Sequence, residues 1–419
     1  MQRMFIMNFE ESDEEKMFRE AVREFAQRYV APAWQDYDKN HEIPRDIIKK
    51  MGEQMLWAPT VGEEYGGAGL SMTMACIAAE ELAKADLSIA LPVMYLVEAS
   101  WALIYDLYGT HESKSEILPR VTKGDLFFGI ATTEPTGGSD LVNTTRTIIK
   151  PKGDNFVVNG EKVYISGVNE SEKYGGVYWT LAKSDPKGDH KAFDAFILPL
   201  NMGDGVHPGI TTTLFEDMGR MGVSTGGFNI EDVEIPKHYI IGERGRGFYM
   251  AMEGFSAARV LIGATCLGSA QSCFDIGVDY VKQRKQFGRP LAAFEGIQFE
   301  GAKSWMALEA DRQLVYKAAW MWDQHYGEGR KDITKLDIAQ ATAAAKYRAP
   351  HDALDAISMA MTWHGAFGYT KECPLEAAYR GVRSYTIGAE GGAHIQLVVI
   401  SRELFGPENL PYRQKGQFE

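Results

Sequence analysis

TRTIIKPKGDNFVVNGEKVYISG, residues 145–167, sets the fold class of this chain. It is rich in β-branched and aromatic residues that alternate loosely with polar ones, the pattern of strands half-buried on a sheet. Asn159-Gly160 stands between two apolar stretches and predicts a hairpin turn, because both residues tolerate the positive φ that two-residue turns need. Further along, VYWTLAK, AFDAFILPL and GITTTLF keep the short-strand texture as far as VEIPKHYIIGERGRG. Strand signals follow one another without intervening helices, which predicts an antiparallel sandwich or barrel over residues 128–242.

On both sides the apolar period becomes helical. Upstream, Ser12 and Glu15 form a capping box, and Phe18, Ala21, Val22, Phe25 and Tyr29 follow at helical spacing. GEEYGGAG (62–69) interrupts the pattern, and SMTMACIAAEELAKAD (71–86) resumes it. After Gly247 long helices are predicted to about Ala360, broken at RKQFGRP and HYGEGRK, with IQLVVISREL as a last helical stretch. The expectation is an α+β chain: an N-terminal helical domain (1–127), a central antiparallel β domain (128–242) and a C-terminal helical domain (243–419).

Composition narrows the function. The chain has 419 residues, 45% of them hydrophobic, enough for a sizeable core. A formal charge of −13 argues against nucleic acid or an anionic membrane as the main partner. Four cysteines without a CxxC spacing read as reduced thiols of a cytoplasmic protein. MQRMFI has no long apolar core and no run of 18 apolar residues occurs, so neither secretion nor membrane spanning is expected. A GxGxxG opening a helix, a Walker A loop, HExxH and GxSxG are all missing, and with them the chemistries they carry.

Three segments remain. In IATTEPTGGSD (130–140), Pro135 fixes a bend, while Gly137 and Gly138 let backbone N–H groups approach a ligand; the stretch also reads as a surface turn. In DYVKQRKQFGRPLAAFEGIQF (279–299), Arg284 offers a planar fork suited to phosphate, and Gly288 with Pro290 equally suits a helix stop. In SYTIGAEGGAHIQ (384–396) a lone acid, Glu390, sits among Gly388, Gly391 and Gly392 in an otherwise largely apolar stretch.

Together these segments, with GRMGVSTGGFNIEDVEIP and WHGAFGYTKECPLEAAYRG, resemble the acyl-CoA dehydrogenase family, in the family's order and from about Met7 (MNFEESDEE) to about Leu404. The resemblance implies a four-helix-bundle-like C-terminal domain, a homotetramer built as a dimer of dimers, FAD as cofactor and an acyl-CoA thioester as substrate. The implied reaction is α,β-dehydrogenation, with the α-proton going to a base and the β-hydride to flavin N5. Electrons would pass on to an electron-transfer flavoprotein. In one branch of the family the base is the glutamate of EGT, matched here by Glu390. In another it precedes an arginine on the long helix, where this chain has Ala258 before Arg259. Flavin contacts are implied for Ile130, Thr132, Thr133, Gly138, Ser139, Tyr164 and Ser166. They are implied also for Arg284, Gln286 and Phe287, acting on a neighbouring subunit's flavin, and for Thr362, Gly365, Ala366, Gly392 and His394. Ser139, Phe255, Arg259 and Gly391 match substrate-binding positions, and the Glu390 N–H is expected to polarise the thioester carbonyl.

The chain departs from the family pattern in several places. EGT becomes EGG, RD becomes Arg380-Gly381, and one extra residue separates Arg380 from Glu390. Glu98 falls on the helix that lines the family's acyl pocket, as a second acid or as a pocket-bottom glutamate. Short-chain, branched or cyclic acyl groups fit these departures. An enoyl-CoA reductase, an oxidase of the same family, and a non-catalytic acyl-CoA-binding relative are the alternatives.

Overall fold

The computed structural model describes residues 10–409; the Met7–Phe9 part of the family-like opening lies outside them. Helix α1 (Asp13–Phe25) starts on the capping box read from the sequence. The Glu15 N–H donates to the Ser12 hydroxyl, and the Glu15 carboxylate accepts from the Ser12 N–H at 2.7 Å. There follow α2 (Trp34–Asn40), α3 (Arg45–Glu53), α4 (Met72–Ala85), α5 (Ala90–Val97), α6 (Leu103–Tyr108) and α7 (His111–Thr122). Between α5 and α6 the backbone passes through a π-helical turn, Glu98–Ala102. Such turns insert one residue into a helix and recur at functional sites.

The central region holds β1 (Phe127–Ala131), β2 (Ile148–Lys152), β3 (Asn155–Ser166), β4 (Gly176–Lys183), β5 (Phe193–Asn201), β6 (Ile210–Phe215), β7 (Thr225–Pro236) and β8 (Ile240–Ile241). Two short helices, α8 (Leu141–Thr144) and α9 (Val168–Tyr174), interrupt them. The strand order is β6-β7-β3-β2-β4-β5-β8, with β1 beside β4. β2 and β4 meet at one residue pair, Ile148 with Lys183, so the sheet divides into two groups. One, β6-β7-β3-β2, is antiparallel throughout, whereas in the other β1 runs parallel to β4. β1 also lies against β3 across the two groups.

The expected hairpin turn at Asn159-Gly160 is not there. The turn falls at Gly153-Asp154, with Lys152 paired to Asn155, and Asn159-Gly160 lies inside β3 at a break in its register with β7. A Cβ on Gly160 would sit 2.6 Å from the Thr147 Cα, so glycine is required here by the close approach of a neighbouring strand. The Asn159 side chain accepts from the Asp232 N–H at 2.9 Å and secures the bulge. Local chemistry suited to a turn serves a bulge instead.

The C-terminal region comprises α10 (Gly247–Gln283), a small hairpin of β9 (Lys285–Gln286) and β10 (Arg289–Pro290), then α11 (Glu295–Trp322), α12 (Lys335–Trp363), α13 (Leu375–Ile387) and α14 (Ala393–Phe405). α10 is the spine: it packs along α11 and α12 and also against α4, α5 and the π-turn. Two stretches, Ala90–Tyr108 and Gly247–Gln283, are long and apolar enough to cross a membrane, but the apolar 18-residue window of each is 83% buried inside the fold. Their apolar surface covers other helices.

Candidate active site

Glu390 lies in the turn between α13 and α14. Ala389, Glu390 and Gly391 all have positive φ (55°, 46° and 93°), a left-handed run that costs non-glycine residues energy. Long side chains from three helices hold it. Arg259 of α10 donates from Nε to the Glu390 carbonyl at 3.0 Å. Lys346 of α12 donates from Nζ to the Gly388 and Gly391 carbonyls at 2.9 and 2.7 Å. Gln396 of α14 donates from Nε2 to the Gly391 and Glu390 carbonyls. Among the described residues the Glu390 N–H donates to no protein acceptor.

Ala389 is exposed and Gly388, Glu390, Gly391 and Gly392 are half-buried, with protein groups crowding the Glu390 carboxyl. Burial raises its pKa above the ordinary glutamate value; Lys346, Trp101, Arg259 and Arg220 oppose the rise, in that order. Trp101, in the π-turn, is fully buried and lies beside the carboxyl, yet its indole N–H makes no hydrogen bond of normal geometry. Its ring packs 5.1 Å from Trp179 and edge-on 5.5 Å from Phe255. Gly254 admits it: a Cβ there would be 2.3 Å from the ring.

The loop 132–140 is anchored by its own acid. Glu134 pairs with the buried Lys162 at 2.7 Å and accepts from the Thr147 hydroxyl. The Val163 N–H donates to the Thr133 carbonyl at 3.0 Å, which brings Thr133 beside Tyr164. Tyr164 has φ 59° and is 71% exposed, its ring 5.5 Å from Phe215. Arg220 links this shelf to Glu390, donating to the Ser166 hydroxyl at 3.4 Å while its charge reaches the carboxyl. Thr132 is buried, Gly138 and Ser139 are exposed, and Ile130 pairs with Trp179 across β1 and β4. Gly392 caps α14 and His394 is exposed on its first turn.

The other expected cofactor positions gather elsewhere. Arg284, Gln286, Phe287, Thr362, Gly365 and Ala366 are all exposed. Tyr280 stacks on His364 at 4.0 Å and joins the ends of α10 and α12, so these residues share one corner. Phe287 and Gly288 (φ 52° and 80°) form the turn of the β9–β10 hairpin and hold the Phe287 ring 93% exposed. Arg284 lies about 38 Å along α10 from Arg259 at 1.5 Å per residue. Within one chain the two clusters are separate.

The departures have physical reasons. A Cβ at Gly392 would be 2.8 Å from the Ile387 carbonyl oxygen, so the longer turn leaves no room for a threonine. A Cβ at Gly381 would be 2.6 Å from the Ser88 carbonyl, so no aspartate follows Arg380. Arg380 instead pairs with Asp38 of α2 at 2.7 Å and with Glu376. Glu98 is fully buried and faces β1: Oε1 accepts from the Phe128 N–H at 2.9 Å, and Oε2 has no partner among the described residues. Burial drives its pKa well above the usual range, and the Phe128 bond only partly offsets this.

Lys346, Arg220, Trp101 and Gln396 are absent from the sequence-derived set of site residues. Gln396 ends the quoted stretch AEGGAHIQ, and a lysine inside the alanine-rich run ATAAAKYRA of α12 was the available signal for Lys346.

A half-buried acid of raised pKa beside an exposed aromatic shelf suits proton removal next to a planar cofactor, which makes the class a cofactor-dependent oxidoreductase. Sequence models of the acyl-CoA dehydrogenase N-terminal, middle and C-terminal domains match residues 12–125, 129–233 and 245–405. The chain belongs to the acyl-CoA dehydrogenase family, whose members are FAD-dependent oxidoreductases. It is similar to a probable acyl-CoA dehydrogenase of Bacillus subtilis, 34% identical over 95% of this chain and 100% of that one. The NADH-linked acryloyl-CoA reductase of Anaerotignum propionicum is 34% identical over 96% of this chain and 97% of its own length. A chain from the structure reported for the electron transferring flavoprotein of Acidaminococcus fermentans superposes with TM-score 0.86 at 31% identity, covering 96% and 100% of the two chains. The residues here fit FAD: an outward-held Tyr164 ring stands beside the Thr133 and Ser166 hydroxyls, on the shelf that Arg220 joins to Glu390.

Proposed function

We propose that this chain catalyses α,β-dehydrogenation of a small acyl-CoA thioester, with Glu390 as the α-proton acceptor. The observation that carries the reading is the placing of Glu390 on a turn held by Arg259, Lys346 and Gln396 and linked through Arg220 to the Tyr164–Ser166 shelf; burial raises its pKa and the nearby cations oppose the rise. Thr133, Tyr164 and Ser166 would hold the flavin ring, with Ile130, Thr132, Gly138, Ser139, Gly392 and His394 around it. FAD, when bound, supplies the hydride acceptor for the β-hydrogen. The Glu390 N–H, without an acceptor among the described residues, would donate to the thioester oxygen as enolate charge develops. Ser139, Phe255, Arg259 and Gly391 would border the acyl-CoA.

Trp101, packed on Trp179 and Phe255 beside Glu390, supports a short, branched or cyclic acyl group. Separation of the two clusters along α10 supports sharing of each FAD between subunits, Arg284, Gln286, Phe287, Thr362, Gly365 and Ala366 serving a neighbour's cofactor in a homotetramer. An electron-transfer flavoprotein is proposed as acceptor. Four buried free cysteines fit the reduced, cytoplasmic setting read from the sequence.

The reductive direction is the second reading, favoured by the acryloyl-CoA reductase relative. By microscopic reversibility Glu390 would then deliver the α-proton. Stopped-flow bleaching of the bound flavin with straight, branched, cyclic and dicarboxylic acyl-CoAs tests the reading. Rapid bleaching by a small acyl-CoA is expected, with reoxidation faster by a flavoprotein acceptor than by oxygen. Absence of bleaching across the panel would leave a non-catalytic binder.

A further inference from the structure

We infer that Lys346 is the positioning residue of the Glu390 turn: its ammonium clamps the carbonyls on both sides of that acid and places a cation near the carboxylate. The inference rests on Glu390 being the α-proton acceptor.

Lys346 sits in the middle of α12 with 1% exposure, an unusual place for a lysine without a close acid. Among the described residues no carboxylate lies within ion-pair distance of its Nζ; its hydrogen-bond partners are the Gly388 and Gly391 carbonyls. Those carbonyls bracket Ala389 and Glu390, the two non-glycine residues of the left-handed run. Residues in that region persist only where their surroundings over-determine them. A lysine head suits the task, because one compact charge with rotatable donors can satisfy two carbonyls three residues apart.

Position and charge act together. The groups facing Glu390 are Lys346 from α12, Arg259 from α10, Arg220 from the loop before β7, Trp101 from the π-turn and Tyr385 from α13. Among them Lys346 opposes the burial-driven rise most strongly. Lys346 itself faces Glu390, Arg259 and Cys266. Burial, with repulsion from Arg259, pushes its pKa down to about 8, so it still carries its charge at neutral pH. Arg259 holds a single carbonyl, that of Glu390, and spans no pair.

Lys346→Met removes charge and donors at nearly constant volume; Lys346→Gln removes the charge and keeps amide donors. Both are compared as FAD-loaded proteins by hydrogen exchange over residues 388–396 and by the pH profile of single-turnover flavin reduction. In Lys346→Met, exchange in the turn should quicken about tenfold while α10 and α12 stay protected. Flavin reduction should fall about 100-fold, and its acid limb should move up by about one pH unit. Lys346→Gln should regain protection of the turn but keep the displaced acid limb. Unchanged exchange and an unchanged acid limb in Lys346→Met would overturn the inference and leave a merely structural cation. Exchange does not depend on catalysis, so a faster-exchanging turn in Lys346→Met, found together with a wild-type protein that bleaches with no acyl-CoA, would retain the clamp while removing the role assigned to Glu390.

Discussion

Two acids, the half-buried Glu390 and the fully buried Glu98, begin from the same physics and end in different states. Burial raises the pKa of both. Around Glu98, on the π-turn, the described residues supply one backbone donor, Phe128 N–H, and no cation that acts on its carboxyl. Around Glu390 there are Lys346, Arg259 and Arg220, contributed by elements far apart in the sequence. Burial alone gives a neutral acid able to donate a hydrogen bond; burial with nearby cations gives a carboxylate that can take a proton and lose it again. What separates a base from a pocket wall is the surroundings assembled by the fold.

The hardest test of that contrast is Glu390→Gln. It keeps the shape and removes the proton acceptor, so flavin reduction by substrate should fall by roughly 10²- to 10⁴-fold with FAD and acyl-CoA still bound. Near-normal reduction would erase the distinction between the two acids. In the wild type, the rate of flavin reduction should rise with pH through a midpoint above the ordinary glutamate value. Stability should move the opposite way. The folded state binds the Glu390 proton more tightly than the unfolded chain, so this group's contribution is present below the unfolded pKa and is lost as pH rises through the folded one. Denaturant unfolding across that window, wild type against Glu390→Gln, isolates the effect.

The same contrast shows how far the sequence reaches. The helical–β–helical order was readable because apolar period changes at the strands, and the capping box at Ser12 is local chemistry. Asn159-Gly160 misled because the signal for a two-residue turn is also local, whereas the bulge that uses it depends on how closely Thr147 approaches from β2's side. Glu390 was legible from its motif. Lys346, Arg220 and Trp101 were not, since each is tied to Glu390 only by tertiary geometry. The glycines at 381 and 392 read as departures in the sequence and as necessities in space, closed off by the Ser88 carbonyl and by the Ile387 carbonyl at the end of α13.

Gly392→Thr, which would restore the family's EGT, sharpens the comparison from the backbone side. Its Cβ would press on the Ile387 carbonyl, and overpacking of this kind costs about 1–3 kcal/mol. A lower Tm with quicker exchange in residues 388–396 is expected, and an unchanged turn would mean that Ile387 yields freely.

The smallest expected effect is the most discriminating for Glu98. If its carboxyl is neutral in the folded protein, Glu98→Gln keeps charge and shape, and Phe128 N–H retains an oxygen to bond. Flavin reduction should then change by less than about threefold, as for surface-like substitutions of under about 0.5 kcal/mol. Glu98→Ala, which opens space beside the aromatic wall, should alter chain-length preference or regiochemistry with FAD still bound. A large loss in Glu98→Gln would require an ionised Glu98, although no cation among the described residues acts on it, and would return this acid to the chemistry as a second proton-transfer group.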